Sequence, residues 1–282
     1  MNREKSNIYI ECLDHTVSGE KFKLYKDRDH DMLVTIPRPD ENSLGKYYES
    51  EDYISHTDAK RTVFEKTYHL VKKYSLNKKV KLISKLHQGT GTLLDIGAGT
   101  GDFLIEANNK NWEVTGLEPN EQARALAKAK GIVLEPDATR LLSNSFDVIT
   151  MWHVLEHVPD LSAQIKELKR LLKRGGNLII AVPNFKSYDA LYYKSFWAAY
   201  DVPRHLWHFS KNSMKTLFEK EGMMLEKTKP LLFDSFYVSL LSEKYKNGKM
   251  NFVKAIWIGL LSNIKGKRSK EYSSHIYILK SS

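Results

Sequence analysis

The run Leu93-Leu94-Asp95-Ile96-Gly97-Ala98-Gly99-Thr100-Gly101-Asp102-Phe103 constrains this chain more than any other segment. An apolar strand runs straight into three glycines and then a helix. Glycine tolerates positive φ and lets a ligand approach the backbone. Such a turn sits at the carboxyl end of a strand, where doubly wound sheets bind their ligands. The frame departs from the dinucleotide fingerprint. Gly97 and Gly99 fit its first two glycines, but Asp102 stands where the third belongs, and the third glycine falls one residue early, at Gly101. A carboxylate at a helix N-terminus repels a pyrophosphate and suits an ammonium group. No Walker lysine follows.

From Thr92 onward, strands and helices alternate. Strands are predicted at Thr92–Ile96, Glu113–Leu117, Ile132–Leu134, Phe146–Met151, Asn177–Val182 and Ser274–Leu279. Helices are predicted from Gly101 to Asn109, over the Ala-rich Asn120–Lys130, over Leu161–Lys173 before Gly175-Gly176, and from a Ser210 N-cap to Glu221. This order predicts an α/β fold with a doubly wound, mostly parallel sheet. Residues 1–57 are polar with short β-like pieces and read as a small N-terminal module. Residues 58–282 form the main domain, with a helical lead-in (58–88), a core (90–229), and C-terminal helices with a last strand (230–282).

Three further signals follow the glycine turn. Glu118 ends the second strand, about 20 residues past the glycines, the spacing at which a carboxylate grips ribose hydroxyls. Asp137 follows the third strand, where it can accept from an adenine amine or cap a turn. Phe146–Val158 runs from a strand into a loop bearing Trp152 and His153, then Leu155-Glu156-His157-Val158.

In this order and spacing, over residues 90–225, the motifs resemble class I S-adenosylmethionine (SAM)-dependent methyltransferases. The branch with ubiquinone-biosynthesis O-methyltransferases is the most similar. The resemblance implies a seven-stranded Rossmann-like sheet ending in an antiparallel hairpin, with SAM as cofactor and S-adenosyl-L-homocysteine as product. It implies that Gly97, Gly99 and Gly101, with Ala98 between them, line the cofactor. Glu118, beside Pro119, binds the ribose, Asp137, beside Ala138, binds the adenine amine, and Trp152 borders the cofactor. Asp95 either touches the ligand or orients the glycine turn through backbone amides. Glu156 and His157 can equally tie their loop to the next helix.

An acceptor hydroxyl needs a base with a pKa near neutrality, and histidine is the usual candidate. The aromatic segment Phe196–Ser210 follows the fifth strand and can fold over the carboxyl edge of the sheet. The catalytic candidates are His205 first, then His153, which sits beside the expected cofactor, and His208. Arg204 is expected to bind an anionic acceptor, with Trp197 and Tyr200 at the substrate. Alternatively these residues pack a lid around Trp197 and Trp207.

The N-terminal region resembles a module that in some relatives carries two Cys pairs holding zinc. Only Cys12 is present here, so no metal is expected, and a reducing, cytoplasmic setting fits. Tyr47, Tyr48, Tyr53 and His56 are candidates for a lid over the cofactor. The net charge of +10 is spread along the chain, which favours solvated surface over a nucleic-acid face. No apolar run reaches the roughly 20 residues of a membrane span. Phe252–Leu261, followed by the basic Lys265–Lys270, reads as a helix packed on the sheet or as a membrane-surface helix, with packing the commoner arrangement. The expected activity is methyl transfer to a small molecule, saccharide or lipid precursor at oxygen. Transfer to carbon or nitrogen, and SAM binding without catalysis, remain alternatives.

Overall fold

Alternate residues of the central strands pack on opposite faces, and that alternation sets the layers. The computed structural model describes residues 7–27, 29–40, 45–48 and 63–281. The main sheet contains β4 (Thr92–Ile96), β5 (Glu113–Leu117), β6 (Phe146–Trp152), β7 (Leu172–Pro183), β9 (Met223–Pro230) and β10 (Ser274–Ser281), ordered β5-β4-β6-β7-β10-β9. β5, β4, β6 and β7 run parallel. β10 runs antiparallel between β7 and β9.

On one face, Leu93, Val148, Ile179, Ala181, Ile276 and Ile278 pack against α1 (Val63–His87), α2 (Asp102–Asn108) and α3 (Glu121–Ala129). On the other, Leu94, Ile149, Met151, Ile180, Val182 and Tyr277 pack against α4 (Leu161–Leu171) and α6 (Lys211–Lys220). Both faces of the parallel strands are therefore buried, as their apolar runs require. The helices start where side chains satisfy free N–H groups: Asn120, Asp160 and Ser210 accept from Ala123, Ala163 and Ser213 backbone nitrogens.

Two elements differ from the sequence expectation. The third strand shrinks to a single parallel bridge, Leu117 to Glu135, at the outer edge beside β5. That bridge holds the place of the seventh strand. The fifth strand starts earlier, at Leu172, so Gly175-Gly176 lies within β7 instead of ending a helix. A Cβ on Gly176 would come within 3.0 Å of the Asp147 carbonyl oxygen, so Gly176 permits close strand approach.

A second sheet, ordered β1-β2-β3-β8, joins the N-terminal residues to the main domain. It contains β1 (Ile8–Leu13), β2 (Lys21–Asp27), β3 (Met32–Ile36) and the two-residue β8 (Trp207–His208). Leu33 and Val34 pair with His208 and Trp207. Beneath this sheet, α5 (Tyr188–Tyr193), α7 (Asp234–Asn247) and α8 (Phe252–Ser269) share a third core cluster that includes Phe22, Leu24, Trp197 and Tyr200. The segment 49–62, with Tyr53, His56 and the expected start of α1 at Asp58, lies outside the described residues. No helix among the described residues is long and apolar enough to cross a membrane.

A buried guanidinium pins the two sheets together. Arg204 donates from Nη2 to Asp14 at 3.0 Å, to Thr16 Oγ1 at 2.9 Å and to Asp201 at 2.7 Å, and from Nη1 to the Tyr47 carbonyl oxygen at 2.9 Å. Asp14 is itself buried, and its carboxylate also accepts from Thr16 and Ser18. Breaking such a pair leaves an uncompensated buried charge. Arg204→Ala should therefore lower the unfolding free energy by about 3–5 kcal/mol, measured by urea denaturation. A loss under about 1 kcal/mol would show the pair to be no stronger than a surface contact.

Candidate functional site

The glycine turn leaves β4 in a conformation that side chains would obstruct. Gly97 has φ 69°, and a Cβ there would lie 2.4 Å from Val154 Cγ2. Gly99 has φ 56° with no atom within 4 Å of where its Cβ would stand. The first glycine therefore permits close packing of the β4 and β6 loops, while the second leaves open space above the backbone. Gly101, also at positive φ, caps α2, and Ala98 N donates to the Leu117 carbonyl.

Glu118, at the end of β5, reaches back to this turn. Its Oε2 accepts from Gly99 N at 2.8 Å and its Oε1 from Asn120 N at 2.9 Å. Pro119 follows, and Arg124 donates to the carbonyls of both Glu118 and Pro119. One strand further out, Glu135, Pro136, Asp137, Thr139 and Arg140 line an open groove of about 280 Å³. Asp137 is exposed and accepts from Thr139 N at 2.8 Å, a turn-capping bond. Ala138 packs against the core beside it.

Asp95 is buried, with its Oδ1 accepting from Thr150 Oγ1 at 2.6 Å. Burial pushes its pKa up to about 7, although Thr150 and Lys79 pull the other way. Lys79 comes from α1, a contribution the sequence reading missed. Burial pulls the Lys79 ammonium down, against Asp95 and Asp234, which hold its proton. Its Nζ lies 4.2 Å from the centre of the Trp152 ring. The signal was there: Lys79 falls on the same helical stripe as Leu76, Val80 and Ile83. Trp152 packs edge-on to Phe103 and has a buried Nε1 with no hydrogen-bond partner. Asp102 faces elsewhere, paired with Lys72 at 2.7 Å and Lys130 at 2.9 Å.

His153, with φ 59°, lies between two carboxylates. Its Nε2 is 2.9 Å from Asp234 and its Nδ1 3.3 Å from Glu156. Burial lowers its pKa, but Asp234 and Glu156 outweigh that and raise it to about 10. His153 is thus an imidazolium at neutral pH, a proton-holding group and not a free base. Asp234, the first residue of α7, carries no recognisable signal in the sequence.

Glu156 is almost fully buried, and neither oxygen accepts a hydrogen bond. Its Oε1 also lies 4.0 Å from His205 Nε2. His205 Nδ1 donates to the Ala199 carbonyl at 2.9 Å, which fixes the tautomer and leaves Nε2 with its lone pair. His157 donates from Nδ1 to the Arg204 carbonyl, and burial beside His205 lowers its pKa to about 4. Glu156, His157 and His205 each offer a ligand atom within 4.8 Å of the others, a spacing a cation can bridge. The positive charge beside Glu156 in this structure is His153.

The rest of the aromatic segment departs from expectation. His208 Nε2 donates to Thr35 Oγ1 at 3.0 Å, while that hydroxyl donates to the His205 carbonyl at 2.6 Å. Burial and His205 drive the His208 pKa well down, so it is a neutral packing group and not a base. Trp197 is buried with Nε1 donating to Asp189, and Tyr200 packs edge-on against Trp197 and His208. With Arg204 they border a cavity of about 10 Å³, room for one water at most. Arg204 and Trp197, expected at the substrate with Tyr200, hydrogen-bond inside the protein, an arrangement that matches the packed-lid alternative for this segment. Tyr47 is pinned through its hydroxyl to Glu20 at 2.6 Å.

Residues 68–227 match the family model for the methyltransferase domain. A demethylmenaquinone methyltransferase of Staphylococcus aureus (strain MRSA252) is 36% identical over 118 residues, 36% of this chain and 49% of that protein. The chain spans about half the length of the curated relatives it matches. Among solved structures, a SAM-dependent methyltransferase of Thermotoga maritima, described as a possible histamine N-methyltransferase, superposes with TM-score 0.54 at 19% identity, over 85% of this chain and 100% of that one. The geranyl diphosphate C-methyltransferase of Streptomyces coelicolor A3(2), in complex with Mg2+, geranyl diphosphate and S-adenosyl-L-homocysteine, gives TM-score 0.54 at 13% identity, over 80% and 88% of the two chains. At these identities the likeness is one of fold.

The His153 pair has a pH signature. Its folded-state pKa lies above the ordinary 6.5, so the protonated form stabilises the fold; that contribution is complete below pH 6.5 and vanishes as pH rises through about 10. In Asp234→Asn the midpoint should fall towards the ordinary value. Imidazole NMR titration measures both, and an unshifted His153 resonance in the variant would remove Asp234 as the cause.

Proposed function

Because this chain belongs to the methyltransferase-domain family, we propose that it transfers the methyl group of SAM to a small-molecule acceptor, at oxygen in the first reading. The observation that carries this is the meeting of Glu118 with the glycine turn, its Oε2 2.8 Å from Gly99 N beside open backbone. A carboxylate so placed can exchange its backbone partners for a pair of ribose hydroxyls. The groove lined by Pro136 and Asp137, next along the strand ends, leaves room for the adenine. The unpartnered Trp152 Nε1 and the neighbouring charged groups Asp95 and Lys79 suit the polar amino-acid end of the cofactor.

Bound SAM would supply an electrophilic methyl on its sulfonium, with the neutral thioether of S-adenosyl-L-homocysteine as the leaving group opposite the acceptor. The chain does the rest. Glu118 would hold the sugar, Asp137 with Ala138 would edge the adenine, and Lys79 and Asp95 would face the carboxylate and ammonium of the methionine. Trp152 and Phe103 exclude water on that side. His205 Nε2 takes the proton of the acceptor hydroxyl while Nδ1–H stays on the Ala199 carbonyl. The resulting imidazolium lies near Glu156 and Asp201, 4.0 and 3.9 Å from Nε2.

Transfer to carbon or nitrogen is the second reading. The glycine turn and Glu118 concern the donor and leave the acceptor atom open. The resemblance to proteins named demethylmenaquinone methyltransferases favours a quinone-type ring in that case.

Glu118→Ala should weaken SAM binding at least about tenfold, the loss of hydrogen bonds to a charged group, by calorimetry on folded protein. Retention of full affinity would remove Glu118 from the cofactor site. His205→Asn should abolish transfer of labelled methyl from SAM to a cell extract while SAM affinity holds. Unchanged transfer excludes His205 as the base.

A further inference from the structure

α8 is packed with its large apolar residues outward. At 100° per residue, Ala255, Ile258, Gly259, Ser262 and Gly266 share one side of the helix, and these are its buried residues. All but Ile258 are small. Gly259 sits against Phe236 of α7 so closely that a Cβ would fall 2.7 Å from its ring and 3.0 Å from its Cα. Gly266 meets the Tyr272 ring in the same way. The opposite side holds Val253, Ile256, Trp257, Leu260 and Ile264, within an arc of about 100°. Val253 is 82% exposed, Ile256 and Trp257 58%, and Ile264 57%. Phe252 and Met250 extend the exposed surface at the start of the helix. A helix packed only to complete the core has the reverse arrangement.

The charge along this stretch of sequence is mostly basic, although Lys254 pairs with the buried Glu243 at 3.4 Å. From Lys244 to Lys270 the sequence has eight basic residues (Lys244, Lys246, Lys249, Lys254, Lys265, Lys267, Arg268 and Lys270) and no acidic one. Lys254 and Lys265 both lie beyond the Trp257 edge of the stripe, over the rings of Tyr192 and Tyr188 in α5. Lys267, Arg268 and Lys270 close its end.

We propose that the Val253–Ile264 face of α8 docks on a membrane surface containing anionic lipid, with the helix lying in the interface plane. An exposed apolar stripe with a tryptophan at one edge and lysines beyond it fits the boundary between head groups and acyl chains. Anionic head groups complement the basic margin. A second copy on the same face would bring two basic margins together, which the repulsion of like charges opposes. The face connects to the catalytic side of the domain. Asn263 donates to the Leu232 carbonyl at 3.0 Å and to Ser235 Oγ at 3.0 Å. Leu232 and Phe233 are exposed, and the next residue is Asp234, the partner of His153. Docking therefore places the Leu232–Asp234 segment, and with it the His153 side of the candidate site, beside the docked helix. The inference holds whichever atom is methylated.

Vesicle sedimentation of the full chain tests it, with phosphatidylcholine vesicles and with vesicles of phosphatidylcholine and phosphatidylglycerol. The protein should pellet with the second and much less with the first, and added salt should release it. Tryptophan emission should move to shorter wavelength on binding. The double variant Val253→Asp, Trp257→Glu changes exposed residues only, so its melting temperature and SAM affinity should match the parent. Its partitioning should fall about tenfold or more, as expected for losing one buried large side chain. Wild-type protein that stays in the supernatant with the anionic vesicles overturns the proposal. So does a variant that pellets as well as the parent. A concentration-dependent dimer, seen by analytical ultracentrifugation and lost in the same variant, would assign the face to self-association instead.

Discussion

The Arg204 guanidinium is the interaction on which the arrangement of this molecule turns. It joins β1, through the Asp14 turn, to the segment after β7 that carries His205 and β8. Neither sheet encloses the buried charge alone. Asp14 and Asp201 balance it, and each gains further donors from nearby residues or histidines. With Arg204 fixed, its own carbonyl receives His157 and the next residue directs its ring at Glu156. A clamp that looks remote from the chemistry thereby orients the candidate base. It also explains why this arginine is a poor receptor for an acceptor anion: its donors already have partners, and releasing them would loosen both sheets.

The second organising feature is a chain of alternating charge. Asp95, Lys79, Asp234, His153 and Glu156 follow one another across the ends of β4 and β6, from α1 to α7. Each member is costly alone in this partly water-free setting and is compensated by its neighbours. Four carboxylates, counting Glu118, face two cations. That excess of acid suits a ligand carrying a sulfonium and an ammonium. An ammonium beside Asp95 would favour its ionised form, so the proton that burial holds there would be released on binding.

What the sequence made legible was local. The strand, glycine turn and helix at 92–108 are contiguous, and backbone conformation there follows from residue type. Glu118 was found by its spacing from that turn. The rest depends on residues that meet across the fold. Lys79 reaches the site because an adjoining apolar stripe seats its helix against β6 and β7, and nothing local marks Asp234 as its neighbour. His208 and Trp207 look like members of a reactive aromatic segment, yet β8 pairing with β3 hands His208 to Thr35. Gly175-Gly176 has the composition of a helix stop, and only the neighbouring strand shows that Gly176 accommodates the Asp147 carbonyl. Ile132–Leu134 has strand propensity but lies at the sheet edge, and the one bridge there, Leu117 to Glu135, falls just past it.

Helix α8 shows why periodicity alone gives a face and not its environment. An apolar arc of about 100° predicts equally well a helix turned inward and one turned outward. The decisive information is on the other arc. Gly259 and Gly266 allow α7 and the Tyr272 loop to approach the backbone, and any larger residue there would separate them. Close packing of small residues therefore fixes the helix rotation, and the large residues go outward as a consequence. Their exposure costs hydrophobic free energy in the isolated protein, so the rotation is set by contacts stronger than that cost. Removing the small residues, and not the exposed ones, is what would turn the helix over.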